Sequence, residues 1–234
     1  MCGRYVSPET AAIEREWRIG KHSGTLFVRR YNVAPTMMVP VIRSAADSSA
    51  LELADARWGF VPAWWKQSKP PARCFNAASE HAAVKPMWRD PYRNSRCLVP
   101  ALGWYEWQMA SRTDPATGEV IERKQPCYLF VEPDRAIAFA GLLSLWAAPG
   151  KEPLLTCAIM TRPASAPVAA VHDRMPVVLR SSAQAAWLDP GLRDADEAGK
   201  ILQAGALDLV RYYPVRALVN SSKVDGPELI APLS

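Results

Sequence analysis

The sequence predicts an α+β fold whose core is a mainly antiparallel, barrel-like β-sheet with a few short helices. Strand-like apolar runs follow one another along most of the chain, and helical patterns are short and scattered. The chain also carries 21 prolines, which indicate rigid connections between elements. With 234 residues, of which 49% are hydrophobic, it has enough apolar surface for a buried core, and we expect a single domain over residues 1–234.

The helices are predicted from capping residues and periodicity. Ser7 as an N-cap, followed by Pro8 at the first helical position, predicts a helix that runs to about Ile19. Two short helices are expected at 79–84 and 164–171, and a clearer pair at 181–188 and 195–204.

The strands are predicted from apolar runs that end at turn residues. They are expected at 38–42, 51–58, 97–108, 127–132, 137–146, 154–161, 177–179 and 207–215. The polar segment 110–123 contains Asp114-Pro115-Ala116-Thr117-Gly118, which predicts an exposed hairpin tip. Residues 148–152 predict another turn between strands.

Composition limits the class of protein. No run of about 18 or more apolar residues is present, so a membrane span is not expected. The first residues lack the pattern of a signal peptide, so the cytoplasm is the expected location. A net charge of +5 and a pI near 9.0 slightly favour an anionic partner.

The five cysteines do not indicate a disulfide framework or a metal site. Their number is odd and no Cys-x-x-Cys is present, so neither zinc nor another metal, and no cofactor, is expected. Cys74, Cys97, Cys127 and Cys157 lie in apolar, strand-like runs and are interpreted as small buried hydrophobic residues.

Cys2 differs from the other cysteines because of its position. Methionine is usually removed when the next residue is small, so Cys2 would become the N-terminal residue and carry both an α-amine and a thiol. These groups have ordinary pKa values of about 7.7–8.0 and about 8.5. Such a pair can attack a carboxyl derivative, as N-terminal nucleophile hydrolases do, or condense with an aldehyde to a thiazolidine ring. Alternatively, position 2 is a frayed terminus without function.

Three further polar residues interrupt apolar runs. Glu106 lies between large aromatic residues, where burial would raise its pKa and suit proton transfer; a structural ion pair with an arginine is the alternative. Among the histidines, His172 has the strongest setting for acid–base chemistry, although it could be a capping or core residue. Asn76 could orient a nucleophile or close a turn.

Aromatic residues next to cations form the last pattern. Trp64 and Trp65 follow Arg57 and precede Lys66, and stacking surfaces beside basic groups suit single-stranded nucleic acid. Some of the nine tryptophans must fill the core, but Trp64 and Trp65 follow a proline and precede a polar stretch. We therefore expect at least one of the two to be exposed.

Together these motifs resemble the SRAP (SOS response-associated peptidase) family, whose members cross-link to abasic sites in DNA. The resemblance covers nearly the whole chain, and the ordered set of motifs is far more specific than any one of them. The matching segments are Cys2-Gly3-Arg4-Tyr5, Tyr31-Asn32-Val33-Ala34-Pro35-Thr36, Trp58-Gly59-Phe60-Val61-Pro62, Asn76-Ala77, Gly103-Trp104-Tyr105-Glu106-Trp107 and His172-Asp173-Arg174-Met175-Pro176, with a weaker match through Gly226-Pro227-Glu228-Leu229-Ile230.

The resemblance implies a catalytic set in which Cys2 binds the aldehyde of an abasic site in single-stranded DNA through a thiazolidine. Glu106 would move protons, His172 would act as a general acid near the sugar hydroxyl, and Asn76 would hold Cys2 in place. The implied DNA surface contains Arg4, on phosphate, together with Pro35, Trp64, Trp65 and Arg174. We expect the protein to act as a monomer and, within the cytoplasm, to associate with the nucleoid when it is bound to DNA.

Two positions depart from the family pattern. Ala78 stands where the family usually has arginine, and Val224 where it often has asparagine. Loss of the arginine removes a phosphate contact, so we expect weaker DNA binding while the cross-linking residues are retained.

Several rival functions remain open. A class II glutamine amidotransferase also begins with Cys-Gly, but the Asn-Gly and Gly-Asp loops that shape a glutamine pocket are not found. A thiol autopeptidase, or thiol hydrolase, would remove what precedes Cys2, which here is Met1 alone. A non-covalent module for single-stranded DNA would not need Cys2.

Overall fold

A closed five-stranded barrel and a five-stranded antiparallel sheet make up the fold. The computed structural model describes residues 2–45, 50–67, 70–72, 74–113, 117–147, 150 and 152–233. The strands are β1 Tyr5–Ser7, β2 Ile19–His22, β3 Arg30–Val33, β4 Met38–Ser44, β5 Leu51–Trp58, β6 Asn76–Ala78, β7 Arg96–Ala101, β8 Gly103–Thr113, β9 Val120–Phe130, β10 Ile137–Trp146, β11 Leu154–Pro163, β12 Arg174–Pro176, β13 Val178–Leu179 and β14 Arg211–Pro214. The helices are α1 Thr10–Glu16, α2 Ser79–Ala82, α3 Arg89–Asn94, α4 Ser181–Leu188 and α5 Ala195–Gly205, with short 3₁₀ turns at Val168–Ala170, Ala217–Asn220 and Pro227–Ile230.

The barrel consists of β5, β4, β7, β10 and β11 in that order, and closes where β11 pairs with β5 in parallel. The closing pairs are Thr156 with Arg57 and Cys157 with Trp58. Closure leaves no free edge between these strands. Near this seam, β6 also pairs with β11 in parallel and thereby places Asn76 beside Ile159.

The second sheet has the order β14-β9-β8-β1-β3 and contains the N-terminal strand. Tyr5 of β1 pairs with Trp104 of β8 on one side and with Val33 of β3 on the other. A single apolar core joins this sheet to the barrel, because Tyr5 and Trp104 pack in the same cluster as the barrel residue Ile159. The segment that begins at Cys2 therefore starts between the sheet and the barrel.

The fold class predicted from the sequence is confirmed. Helices α4 and α5 lie within a residue of their predicted bounds. The predicted hairpin is also present, because β8 and β9 form an antiparallel ladder that extends to the pair Thr113 and Val120. Residues 114–116 at its tip, and residues 148, 149 and 151 of the second predicted turn, lie outside the described residues.

The helix predicted from Ser7 to Ile19 is wrong at both ends. Ser7 lies in β1 and pairs with Arg30, and α1 begins only at Thr10, after Glu9. Ile19 already belongs to β2. Strand pairing with β3 has overridden a local capping signal, which is a weak determinant when a partner strand is available.

The strand predicted at 97–108 is in fact two strands in two sheets. β7 belongs to the barrel, β8 to the second sheet, and the chain passes from one to the other at Leu102, whose N–H donates to Val6. Gly103 is required at the crossing, because a Cβ there would lie 2.5 Å from the Leu129 carbonyl.

Other predicted elements are shorter, or were missed. The helices predicted at 79–84 and 164–171 reduce to α2 and a 3₁₀ turn, and the strand predicted at 207–215 to β14. The sequence did not indicate β1, β2, β3, β6, β12 or α3. Cys97, Cys127 and Cys157 are buried as expected, whereas Cys74 is half-buried in a turn. None of the helices in the described part of the chain is both long and apolar enough to cross a membrane.

Candidate functional site

Cys2 is fully buried and is tied to the barrel through its backbone. The Asn76 side-chain amide donates to the Cys2 carbonyl over 2.8 Å. Asn76 is itself fixed by the pairing of β6 with β11. The structure therefore holds the residue at position 2 firmly, which a frayed terminus would not require.

Glu106 lies on β8, on the same face as Trp104, whose side chain packs in the core cluster that contains Cys2. Its side chain is buried, with an exposed fraction of 2%. Burial raises the pKa of the Glu106 carboxyl to about 7, since an ionised carboxylate is disfavoured where water is excluded. Near neutral pH this carboxyl can both donate and accept a proton.

His172 follows the 3₁₀ turn Val168–Ala170 and lies next to Glu106. Its N–H donates to the Val168 carbonyl over 3.0 Å, and its ring Nε2 is 3.9 Å from Oε2 of Glu106. Burial lowers the pKa of His172, so the ring is mainly neutral at pH 7.

Two contacts at Nδ1 of His172 require opposite protonation states. The Arg174 backbone N–H donates to Nδ1 over 3.0 Å, which needs an unprotonated nitrogen, whereas Oδ1 of Asp173 lies 2.7 Å away, which needs a protonated one. The Asp173 side chain is 85% exposed and can turn into water. We therefore assign the tautomer from the backbone contact, which leaves the ring proton on Nε2, on the side of Glu106.

The thiol of Cys2 is held in its neutral form. Burial raises its pKa well above the ordinary value, and the negative charge of Glu106 raises it further. A hydrolase that uses cysteine as its nucleophile needs the thiol activated, either by a cation that lowers its pKa or by a nearby base such as the α-amine.

Arg4 lies two residues after Cys2, and its guanidinium group has few hydrogen-bond partners. Nη1 donates to the Gly3 carbonyl over 3.1 Å, while Nε is buried without a hydrogen-bond partner. Partial burial lowers the pKa of Arg4, and no carboxylate pairs with it among the described residues.

Arg174 is already paired. Its guanidinium binds both carboxylate oxygens of Glu80, and Nη2 also reaches Thr161 Oγ1 over 3.3 Å. This pairing lowers the pKa of Glu80 to about 2. Local sequence patterns gave no sign of Glu80 or Thr161, because the contacts join segments far apart in the chain.

The remaining predicted DNA-surface residues lie in two other places. Pro35 is half-buried in the turn after β3, two residues beyond Val33, the partner of Tyr5. Trp64 is 54% exposed, which confirms that at least one of the two tryptophans faces solvent. Trp65 packs with Trp146 in a small separate cluster, and its carbonyl accepts a hydrogen bond from the Trp146 indole.

The structure thus brings Cys2, Asn76, Glu106 and His172 together. Arg4 follows Cys2 by two residues in the chain. Ala78, which stands where the family usually has arginine, lies on β6 opposite Thr161 and is therefore close to Arg174. Val224 packs against a third apolar cluster, to which Val219 and Leu229 of the C-terminal segment belong. Within the described residues no group of three or more His, Cys, Asp or Glu side chains could hold a metal ion.

Comparisons with known proteins show which family the chain resembles over most of its length. A family profile described as SOS response associated peptidase (SRAP) matches residues 1–222. Abasic site processing protein YoqW of Bacillus subtilis is 38% identical over 200 residues, which cover 86% of this chain and 84% of that protein. Abasic site processing protein HMCES of Gallus gallus is 32% identical over 233 residues, with 87% of this chain and 66% of that protein covered.

Two solved structures have the same fold. A phage-related protein of Bordetella bronchiseptica has a TM-score of 0.68 at 31% identity, with 92% of this chain and 94% of that chain covered. A protein of Bacteroides thetaiotaomicron has a TM-score of 0.71 at 23% identity, over 87% of this chain and 85% of that one.

Proposed function

Because this chain belongs to the SRAP family, we propose that it processes abasic sites in DNA, and that it does so by covalent capture of single-stranded DNA through Cys2. Relatives named abasic site processing proteins support the general activity. The observation that carries the finer proposal is the buried Glu106, whose carboxyl has a pKa of about 7 and whose charge acts on the Cys2 thiol.

The first step is attack by the amine. Removal of Met1 would free the α-amine of Cys2, whose ordinary pKa of about 7.7–8.0 leaves part of it unprotonated near neutral pH. The nitrogen adds to the C1′ aldehyde of the open-chain sugar and forms a carbinolamine. Loss of water then gives a protonated imine. The raised pKa of the thiol supports this order, because a neutral thiol is the poorer nucleophile of the two.

The second step closes the ring. The sulfur adds to the imine carbon as the thiol loses its proton, so that one C–N and one C–S bond form and one water is released overall. Glu106 donates a proton to the departing hydroxyl in its neutral form and accepts the thiol proton in its ionised form. His172, with its proton on Nε2, serves as the acid near the sugar hydroxyl, and Asn76 holds the Cys2 backbone.

The resulting thiazolidine shields the strand. β-Elimination at an abasic site requires an aldehyde or an iminium ion at C1′, and ring closure leaves neither. Arg4 would contact phosphate, while Pro35, Trp64, Trp65 and Arg174 would extend the surface for the strand.

The test is denaturing electrophoresis of the protein with a single-stranded oligonucleotide that carries one abasic site, after mass spectrometry has verified the loss of Met1. We expect a slow, heat-resistant band that needs both the abasic site and Cys2. Its mass should equal protein plus DNA minus one water. Cys2→Ser keeps the amine and should give an adduct that survives heating only after borohydride reduction.

The same samples separate the rival functions. A non-covalent DNA-binding module would give no denaturing band with wild type or with Cys2→Ala. In a native gel, Cys2→Ala would then shift the DNA to the same extent as wild type. A thiol hydrolase would need Cys2 but would form no DNA adduct, so it would give no denaturing band. A missing band with verified removal of Met1 would overturn the covalent proposal.

A further inference from the structure

Gln108 lies two residues after Glu106 on β8, so both side chains leave the strand on the same face. Its side-chain amide Nε2 donates a hydrogen bond of 2.9 Å to the carbonyl of Ala170. Ala170 is the last residue of the 3₁₀ turn that precedes His172. The two residues are 62 positions apart in the chain, and this bond joins the two segments directly.

The bond connects the backbone that carries Glu106 to the backbone that carries His172. The turn is held internally, since the His172 N–H donates to Val168 and the Ala170 N–H donates to Pro167. It therefore moves as a unit, and the bond from Gln108 fixes that unit relative to β8. The unit carries the imidazole whose Nε2 stands 3.9 Å from Oε2 of Glu106.

A gap of this length lies just beyond hydrogen-bond distance, so small shifts of the turn decide whether the two groups can exchange a proton. Misplacement of a catalytic group by about 1 Å can cost about a hundredfold in rate. A neutral hydrogen bond at the surface contributes only about 1 kcal/mol to stability. Loss of the Gln108 bond should therefore affect the geometry of the site much more than the stability of the fold.

We propose that Gln108 is a positioning residue, which acts through His172 by fixing the 3₁₀ turn against the strand of Glu106. This inference rests on the proposed covalent capture of abasic sites. The Gln108 amide bonds to the backbone of the turn, and its role is to keep Nε2 of His172 at its place beside Glu106.

The test compares single-turnover cross-linking rates at saturating DNA for wild type, Gln108→Met and Gln108→Lys, with DNA affinity measured separately. Methionine has nearly the shape of glutamine but no donor, and we expect a rate lower by about tenfold or more with unchanged affinity. Lysine restores a donor of sufficient reach, and we expect it to recover part of the rate.

Gln125 provides the matched control, because it is the cross-strand partner of Gln108 and its amide bonds instead to the carbonyls of Pro126 and Val215. Gln125→Met should lower the unfolding temperature at least as much as Gln108→Met does, yet leave the rate unchanged. Parallel losses of rate in both variants would show that Gln108 acts only through stability.

A double-mutant cycle shows whether Gln108 acts through His172. In a His172→Ala background, Gln108→Met should cause no further loss of rate, since the group that it positions is gone. A full additional loss there, or a wild-type rate for Gln108→Met alone, would overturn the inference while the covalent capture stands. If wild-type protein forms no cross-link, the proposed function and this inference fail together.

Discussion

At the scale of single residues, the Glu106 carboxyl shows how the site and the stability of the fold oppose each other. Its pKa rises to about 7 in the folded protein because burial disfavours its charge. In the unfolded chain the carboxyl ionises with an ordinary pKa of about 4.3. Ionisation is therefore harder in the folded state, and between these two pH values the folded protein loses stability as the pH rises.

We expect Glu106→Gln to abolish proton transfer but to stabilise the fold at alkaline pH. The cross-linking rate should fall by about 10²–10⁴-fold. At pH 8 the variant should be more stable than wild type by about 4 kcal/mol, from about 1.36 kcal/mol per pKa unit, and the difference should vanish near pH 4. Urea unfolding at the two pH values measures this difference. A wild type more stable than the variant at pH 8 would contradict the raised pKa.

Ala78 is the second residue with a measurable consequence. It is half-buried beside Thr161, near Arg174, whose charge Glu80 already neutralises. We expect Ala78→Arg to add one phosphate contact and to steepen the dependence of log Kd on log salt by about 0.7, the value for one contact on a single strand.

Fluorescence anisotropy with a single-stranded oligonucleotide measures that slope. Leu26→Arg is the control, because it adds the same charge to an exposed position on the loop before β3. An equal slope for wild type and Ala78→Arg would show that alanine at position 78 does not remove a phosphate contact.

At the scale of elements, the C-terminal segment secures β3, the edge strand of the second sheet. The Asp225 carboxylate accepts backbone N–H groups of Tyr31 and Asn32. In return, the Asn32 amide donates to the carbonyls of Val219, Ser221 and Val224. Because β3 pairs with β1, these hydrogen bonds of Asp225 and Asn32 also support the strand that follows Cys2.

We expect Asn32→Ala to lower the free energy of unfolding by about 2–4 kcal/mol, since it leaves several carbonyls without their donor in a buried place. Urea titration measures the loss. Lys223→Ala, at an exposed position of the same segment, should stay within about 0.5 kcal/mol of wild type. If Asn32→Ala also changed the free energy of unfolding by no more than about 0.5 kcal/mol, water would be donating to the carbonyls in place of the amide.

Elements also show where local patterns failed. The apolar run 97–108 is continuous in sequence, yet Leu102 divides it between two sheets. Likewise Ser7 and Pro8 carry a good helix start, but β1 pairs with β3 instead. In both cases the deciding partner is a strand distant in sequence, which a local pattern does not encode.

At the scale of the whole molecule, the barrel and the second sheet share one core. Tyr5 and Trp104 of the sheet lie in the same buried cluster as Val39 and Ile159 of the barrel. That sharing supports the prediction of a single domain over residues 1–234. Neither layer can lose its packing without exposing the apolar face of the other.

We therefore expect one cooperative unfolding transition. In urea, tryptophan fluorescence and far-ultraviolet circular dichroism should give the same midpoint. Tryptophans suit this test, because Trp104 reports on the sheet and Trp58 on the barrel. Two separate midpoints would mean that the two layers unfold independently, and the single-domain prediction would be wrong.

From the sequence alone one obtains the α+β class and the family, because these follow from the order of apolar runs and of short motifs, and the same motifs predict Cys2, Asn76, Glu106 and His172 as the site residues. The folded chain alone shows which strands pair, that Arg174 forms an ion pair with Glu80, and that Gln108 donates to the Ala170 carbonyl. Those contacts join segments tens of residues apart, and their formation depends on closure of the barrel and burial of the shared core. The raised pKa of Glu106 was expected from its aromatic neighbours, but its value depends on how completely the folded chain excludes water.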